Sequence, residues 1–366
     1  SYTDYQFNVN KTLSTRTTNI IGGFMASYSK GIVLGGIDGR LANGYYGNYF
    51  SGKICEIICF DNILSNAESE IVENYLNDKW GIGLSGSSRT SIIYPTEISG
   101  CKMWIDCSDV STLKQISDGT TSVVTTGNPI GYISDKSGNG NHLIQPASSN
   151  RPVLDTTTFN GLSAASFESP QYMYNDSLSV MNGNDKPVTV FMVCKPKRFV
   201  INGSIFAFTK SDSNIPYLAL WGQIFNSVGT GGYVDIRTRS DDLTAKSATS
   251  AYTSQLTTEP VLFTVKTDGL KVHARQNGSI VLNNVDIDVN NKTLNRFSVN
   301  VNANSAMAYH QNITLGELLI FDSALSDLQI AAIEKYLSKK WGLGLIRPDS
   351  SHKEVKNFIN RVYANG

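Results

Sequence analysis

The chain of 366 residues has little charge and no surplus of either sign, with 31 basic and 31 acidic residues. Partners such as nucleic acid or an anionic membrane surface usually require a basic excess, so this balance argues against both. Uninterrupted apolar runs of about 18 or more residues are also absent, which argues against a membrane-spanning helix. Composition therefore predicts neither a nucleic-acid partner nor a membrane span.

Cysteine is scarce and odd in number, at five residues. Cys55 and Cys59 are four apart on a predicted strand, which separates them by about 13 Å, beyond the reach of a disulfide. Cys101 and Cys107 flank another strand and face the same restriction, and Cys194 ends an apolar run. Buried, reduced thiols are therefore expected, which points to assembly in a reducing compartment.

Short strands separated by Asn-, Ser- and Gly-containing turns dominate the rest of the sequence. Apolar runs such as 188–195, 261–266 and 314–321 are too short for helices and suit strands buried in a sandwich. The sequence thus predicts an all-β fold with two packed sheets.

The chain contains a long internal duplication. Residues 56–84 and 317–345 align without a gap at a constant offset of 261, and 13 of the 29 positions are identical. Two copies of one module are therefore expected, the first represented by its back half, 1–84. The chain starts at Ser1 with neither a Met nor a signal-like region. We expect the missing front half either upstream of Ser1 or on another chain.

The duplicated segment predicts a strand followed by a short helix that closes each module. Ser326 and Gln329 fit a capping box at the helix start, and Ser65 opens the same pattern in the first copy. Gly342 supplies a helix stop, and Trp341 is expected to fold back against the sandwich.

These signals divide the chain into four parts. A half module at 1–84 is followed by a polar linker at 85–97 and a complete module at 98–345. The tail 346–366 has apolar residues at helical spacing. It is either a short helix docked on a neighbouring protein or the start of another module.

The order of motifs in the second module resembles a known family. The motifs are MWIDCSD, ISDKSGNGNHLIQ, RPVL, FNGLSAASFESPQYM and the closing helix with KKWGLGL. Together they resemble laminin-G-like, concanavalin A-like lectin/glucanase modules, which occur in structural proteins of large DNA viruses and phages and in bacterial surface proteins. The resemblance covers about residues 98–345 and implies a jelly-roll sandwich, but it does not decide function.

Catalytic patterns are missing from the sequence. Glycosidases of this fold carry a Glu-x-Asp-x-x-Glu string, which does not occur here, and Glu56 and Glu317 each stand as lone acids in their strands. Asp286 and Asp288 form a pair that nothing nearby completes. The four His show neither triad nor metal-ligand spacing, so we expect no enzyme.

One loop has spacing suited to calcium. Asp135, Ser137, Asn139 and Asn141 alternate with Lys or Gly, which can wrap several oxygens around Ca²⁺. A Gly/Asn turn that closes a hairpin explains the same residues and is favoured. No cofactor is therefore expected, with Ca²⁺ as the alternative.

Exposed aromatics beside Asn on loops are the usual signature of glycan binding. The candidates are Tyr45, Tyr46 and Tyr49 in the first unit and Tyr217, Trp221 and Tyr233 in the second. A core position explains Trp221 better than a site does, and packing against a neighbouring subunit or domain is the alternative for the first cluster.

Three functions follow in order of preference. The first is a non-enzymatic structural protein of a virion, a minor capsid, decoration or fibre component that contacts other virion proteins, with the 346–366 tail as one contact, and host glycans. The second is a viral or bacterial glycan-binding adhesin at a cell surface or secreted. A glycoside hydrolase or lyase ranks last.

Overall fold

The structure is a computed structural model, and the residues it describes form two compact units, Ser1–Ser91 and Ile92–Gly366. The division falls within the polar segment 85–97. The described residues are 4–9, 12–17, 95–198, 203–211, 221–226, 232–240, 244–250, 258–288, 293–301 and 310–344, together with Ile57, Val72 and Leu76.

The first unit contributes an antiparallel strand pair, β1 (Asp4–Val9) and β2 (Thr12–Thr17), in which Val9 pairs with Thr12. The interpretation of residues 1–84 as a half module stays a prediction.

The second unit is built from strands with one helix at the end of its described part. Its strands are β3 (Cys101–Asp106), β4 (Leu113–Lys114), β5 (Tyr132–Ile133), β6 (Leu143–Ile144), β7 (Val153–Phe159), β8 (Leu162–Ser166), β9 (Met173–Asn175), β10 (Val188–Pro196), β11 (Gly203–Thr209), β12 (Trp221–Asn226), β13 (Gly232–Arg239), β14 (Ala245–Thr249), β15 (Val261–Thr267), β16 (Lys271–Gln276), β17 (Ser279–Asp286), β18 (Arg296–Val299) and β19 (Ile313–Phe321). The helix α1 covers Asp327–Trp341.

The strands form two antiparallel sheets. One has eight described strands in the order β17-β16-β15-β10-β19-β8-β7, with β3 pairing the second half of β19. The other has nine described strands in the order β14-β13-β12-β11-β18-β9-β6-β5-β4. The predicted all-β sandwich is confirmed.

The core lies between the two sheets. Met192 and Ile320 of the eight-stranded sheet belong to the same fully buried cluster as Phe206 and Phe297 of the nine-stranded sheet. Because side chains alternate along a strand, Val190, Met192 and Cys194 face this core, while Phe191 faces outward. That outward face is covered as well, since Phe191 meets Phe321 edge to face at 6.0 Å and both are fully buried.

Helix α1 packs on the outer face of the eight-stranded sheet, which explains why β19 is buried along its whole length. Its start and end follow the sequence signals. Ser326 and Gln329 form the predicted capping box, and Gly342 ends the helix in the left-handed conformation. Trp341 folds back as expected, is 2% exposed, and meets Phe159 edge to face at 5.0 Å.

The described cysteines, Cys101, Cys107 and Cys194, are free thiols. Burial raises the pKa of Cys101 to about 12 and raises those of Cys107 and Cys194 further, so all three stay protonated at neutral pH. Cys55 and Cys59 lie outside the described residues.

Among the described residues, no helix has the length and the apolar content needed to span a bilayer.

Candidate functional site

A buried carboxylate, Glu317, forms the centre of a polar cluster where β19 meets β3 and α1. Its side chain is 0% exposed. Oε1 accepts hydrogen bonds from Trp104 Nε1 at 2.7 Å and Tyr336 Oη at 2.9 Å. Oε2 accepts from Trp341 Nε1 and Lys340 Nζ, both at 2.7 Å. Four donors therefore surround the carboxylate, which meets the desolvation cost of burying it.

A second acid stands directly opposite. Asp106 in β3 is the cross-strand partner of Glu317, and Lys340 Nζ lies 2.7 Å from Asp106 Oδ1. Lys136 Nζ approaches the other oxygen of Asp106 at 3.1 Å and also reaches Asp109 at 2.9 Å. Glu317 is the one acid of its strand, as the sequence indicates, but strand pairing brings Asp106 to it from 211 positions away.

The two acids respond differently to this environment. Burial, with repulsion from Asp106, raises the pKa of Glu317, and Lys340 opposes the rise. Burial alone would raise the pKa of Asp106 too, but the Lys340 ammonium and hydrogen bonds from Lys340 and Ser108 lower it.

This pair of acids is close together but lacks the access of a catalytic pair. Since Lys340 Nζ lies 2.7 Å from an oxygen of each acid, those two oxygens are at most about 5.4 Å apart, no farther than the carboxyl groups of retaining glycosidases. A catalytic acid must also reach the sugar, whereas Glu317 is fully buried and all its donors belong to the fold. The geometry suits a clamp that holds β3, β19 and α1 together.

The duplication had already marked this cluster. Four of its members, Glu317, Tyr336, Lys340 and Trp341, are identical in the first copy. The predicted cap and core roles account for Ser326 and Trp341 but not for a repeated Glu and Lys. Polar identities that recur at a fixed offset are the signal that sequence reasoning missed.

The predicted calcium loop is held against β3 by hydrogen bonds. Asp135 Oδ1 accepts from the backbone N–H groups of Trp104 and Ser137, both at 2.8 Å, and Oδ2 accepts from Ser137 Oγ at 2.8 Å and Asn141 N at 2.9 Å. Asn139 and Asn141 donate to carbonyl oxygens of β3 residues Cys101 and Lys102.

The donor set of this loop therefore fits Ca²⁺ poorly. Each oxygen of Asp135, the one charged ligand in the proposed set, already accepts two hydrogen bonds. In the described part of the chain, no group of three or more His, Cys, Asp or Glu residues is placed to hold a metal. The turn interpretation requires no metal, and Ca²⁺ binding stays a prediction to be tested.

The proposed glycan-binding residues are only partly covered by the structure. Tyr45, Tyr46, Tyr49 and Tyr217 lie outside the described residues, and the side chains of Trp221 and Tyr233 do as well. In the backbone, Trp221 pairs with Arg237 and Tyr233 with Phe225 on neighbouring strands, which places the two candidates four residues, or about 13 Å, apart along the sheet.

A second set of aromatics lies on the outer face of the nine-stranded sheet. Tyr132, Ile144 and Tyr174 are cross-strand partners on three adjacent strands, each half-buried, and we call them the tyrosine strip. At the usual strand spacing the two tyrosines are about 10 Å apart. Arg296 lies 4.8 Å over the Tyr174 ring and is held by both carboxylate oxygens of Asp176.

The neighbours of the strip fix its rings. Tyr132 packs against His142 at 5.0 Å, and His142 Nδ1 in turn accepts from the backbone N–H of Asp135 at 3.0 Å. Burial and the nearby Asp176 raise the pKa of Tyr174, so its hydroxyl stays protonated and able to donate. The strip combines rigid rings with polar groups at its edges, and this combination is typical of sugar-binding surfaces.

Comparison with known proteins gives no family. No family model and no curated protein matches the chain. Among solved structures, domain 4 of AbnA, a GH43 extracellular arabinanase from Geobacillus stearothermophilus in complex with arabinotriose, is 12% identical with a TM-score of 0.44, over 65% of this chain and 98% of that one. A GH54 α-L-arabinofuranosidase is 14% identical with a TM-score of 0.46, over 68% and 61%.

Botulinum neurotoxin type C, whose cell entry depends on interaction with two ganglioside molecules, is 11% identical with a TM-score of 0.43, over 65% of this chain and 51% of that one. The chain thus spans between half and two thirds of the arabinofuranosidase and the neurotoxin. At these values the likeness decides neither ligand nor activity.

Proposed function

We propose that the chain is a non-enzymatic module that contacts glycans through the outer face of its nine-stranded sheet. One observation carries the proposal. The close pair of acids, Asp106 and Glu317, is bridged by Lys340, and Glu317 is fully buried, whereas the tyrosine strip is half-buried on the opposite sheet. The two acids hold β3, β19 and α1 together, whereas the accessible side chains are those of a binding surface.

A glycan array probed with the full chain tests this proposal. We expect bound glycans, and about tenfold weaker binding after Tyr174→Ala or Tyr132→Ala. Ile280→Ala is the matched control, because Ile280 is an exposed apolar residue, 49% accessible, on the eight-stranded sheet. No binding to any glycan, or equal losses in all three variants, would contradict the proposal. Hydrolysis of a polysaccharide by the purified protein would replace it with an enzymatic function.

We further propose that this binding module serves as a structural component of a virus particle, with a cell-surface or secreted adhesin as the alternative. The tandem modules, the free described thiols and the resemblance of the motifs to viral structural modules support it. Quantitative mass spectrometry of purified particles is the test, with a fixed copy number expected. Absence from particles together with presence at a cell surface would favour the adhesin.

A further inference from the structure

The tyrosine strip has a hydrogen-bond donor beside its first ring. His142 lies two residues before Ile144 of β6, and its ring packs against Tyr132 at 5.0 Å with 33° between the ring planes. Its Nδ1 accepts from the backbone N–H of Asp135. A neutral imidazole carries its proton on the nitrogen that does not accept, so the proton is on Nε2. Because Nε2 makes no hydrogen bond within the described part of the chain, an N–H donor is left at the edge of the strip.

An acceptor lies beside the second ring, on the same edge. Asp176 comes two residues after Tyr174, and His142 comes two residues before the cross-strand partner of Tyr174. Antiparallel pairing therefore brings His142 and Asp176 together on neighbouring strands, and Asn175 Nδ2 donates to the backbone oxygen of His142 at 2.9 Å. Both carboxylate oxygens of Asp176 accept from Arg296, yet the Asp176 side chain is 43% exposed. Since a carboxylate has about four acceptor sites, Asp176 can accept further hydrogen bonds.

The spacing along the strip fits successive sugar units. Tyr132, Ile144 and Tyr174 are in direct register on three adjacent strands, so neighbouring side chains are about 5 Å apart and the outer two about 10 Å. A pyranose unit in an extended oligosaccharide advances by about 5 Å, which is also one strand spacing. Three successive units of a chain that runs across the strands therefore meet three successive side chains. The rings at the two ends offer flat apolar faces to the first and third units.

We propose that the strip binds a linear oligosaccharide of at least three sugar units that lies across β5, β6 and β9. Such a site rests on the proposed glycan-binding function and specifies, beyond it, the length and direction of the glycan and two further binding residues. His142 Nε2 donates to a hydroxyl of the unit on Tyr132. Asp176 accepts from a hydroxyl of the unit on Tyr174, and Ile144 contacts the unit between them.

Isothermal titration calorimetry of the full chain with oligosaccharides of graded length tests the predicted length. The probes are β-1,4-linked glucose, xylose and mannose oligosaccharides of two to six units. We expect at least one series to bind, with affinity that rises about tenfold or more from two units to three, because only then do both rings hold a sugar.

A disaccharide bound as tightly as the trisaccharide would overturn the proposal. A glycan array on which none of the three series binds while other glycans do would overturn it as well. Both results would leave the proposed glycan-binding function standing, whereas the absence of binding to any glycan would remove the two together.

Two substitutions of His142 test its Nε2 donor. His142→Phe keeps a ring against Tyr132 and removes the donor, whereas His142→Gln places an amide N–H where Nε2 stands. Neither variant retains the Nδ1 acceptor, so a recovery in the second reports on Nε2 rather than on the bond to Asp135. We expect the trisaccharide to bind about tenfold more weakly to His142→Phe, and His142→Gln to recover most of this loss.

His273→Phe is the matched control, because His273 is a half-buried histidine of β16 on the other sheet. Its affinity for the trisaccharide should equal that of the unmodified chain. Monodeoxy trisaccharides give a reading that a merely structural role of His142 would not change. One of them should bind equally to the unmodified chain and to His142→Phe, since both complexes then lack the same hydrogen bond. Equal losses in His142→Phe and His142→Gln, or no monodeoxy analogue that removes the difference, would overturn the proposal.

Discussion

Glu317 shows how one residue can decide the closure of a module. Its carboxylate is fully out of water, yet all of its contacts are donors from β3 and α1. A buried ion stays tolerable only while its partners are present, so the cost of removing one partner is large. We therefore expect the cluster to favour the pairing of β3 with β19 over pairings that leave the carboxylate unpartnered.

Lys340 is the sole cation described in contact with both acids of the clamp. We expect Lys340→Met to lower the free energy of unfolding by about 2–3 kcal/mol, since two close carboxylates lose their shared counter-ion, with some screening at its exposed end. Lys339→Met, next to it on the exposed side of α1, is the matched control and should stay within about 0.5 kcal/mol. Urea unfolding followed by circular dichroism measures both, and equal midpoints would contradict the clamp.

The lowered pKa of Asp106 predicts how the stability of the module changes in acid. Its pKa is lowered in the folded protein, so the stability it contributes is full above the ordinary carboxyl pKa of about 4 and is lost as the pH falls through the lowered value. Asp106→Asn removes this contribution. Below about pH 4, we expect the free energy of unfolding of the Asp106→Asn variant to fall less steeply with pH than that of the unmodified chain. Parallel curves for the two proteins would show that Asp106 is not the group responsible.

At this scale the sequence predicts local roles and misses distant partners. The roles of Ser326 and Gly342 follow from neighbours within a few positions, so they could be predicted. The pairing of Asp106 with Glu317 depends on the register between β3 and β19, which no local pattern contains. The tyrosine strip was missed for the same reason, since Tyr132 and Tyr174 are brought onto one face by the pairing of their strands with β6.

Among the elements, α1 owes its starting point to one side chain. Ser326 Oγ accepts from the backbone N–H of Gln329, which satisfies a donor that the first helical turn leaves open. Ser326→Ala should therefore cost about 1 kcal/mol of stability in thermal unfolding. Ser179→Ala, at an exposed loop position, is the control and should cost less than about 0.5 kcal/mol. A cost no greater than the control would mean that packing alone positions the helix.

The Asp135 loop is the element where the metal and turn interpretations compete. Because both oxygens of Asp135 already accept hydrogen bonds, millimolar Ca²⁺ should leave the melting temperature unchanged. Asp135→Asn should lower it, since the loop loses its hold on β3. Asp118→Asn is the matched control, an exposed Asp whose side chain accepts hydrogen bonds from Thr120. A rise in melting temperature with Ca²⁺ that Asp135→Asn abolishes would establish the metal site instead.

For the whole molecule, duplication and sandwich were both predictable, for different physical reasons. Short apolar runs can be satisfied only by burial between sheets, so the fold class follows from pattern. A repeat is visible without any structure, because its alignment needs only identity at a fixed offset. The ligand is not predictable in this way, since it depends on which face of the nine-stranded sheet stays open, and that is a property of the folded surface.

Charge balance makes the last prediction for the molecule as a whole. With 31 basic and 31 acidic residues and a pI near 6.9, the chain has no net field at neutral pH to attract a polyanion. Two cations of the second unit, Lys136 and Lys340, are already paired with Asp106. We therefore expect the protein to pass through immobilised heparin and DNA without retention, even at low salt, where such binding is strongest. Retention that disappears with added salt would show a local basic surface and would reopen the case for an anionic partner.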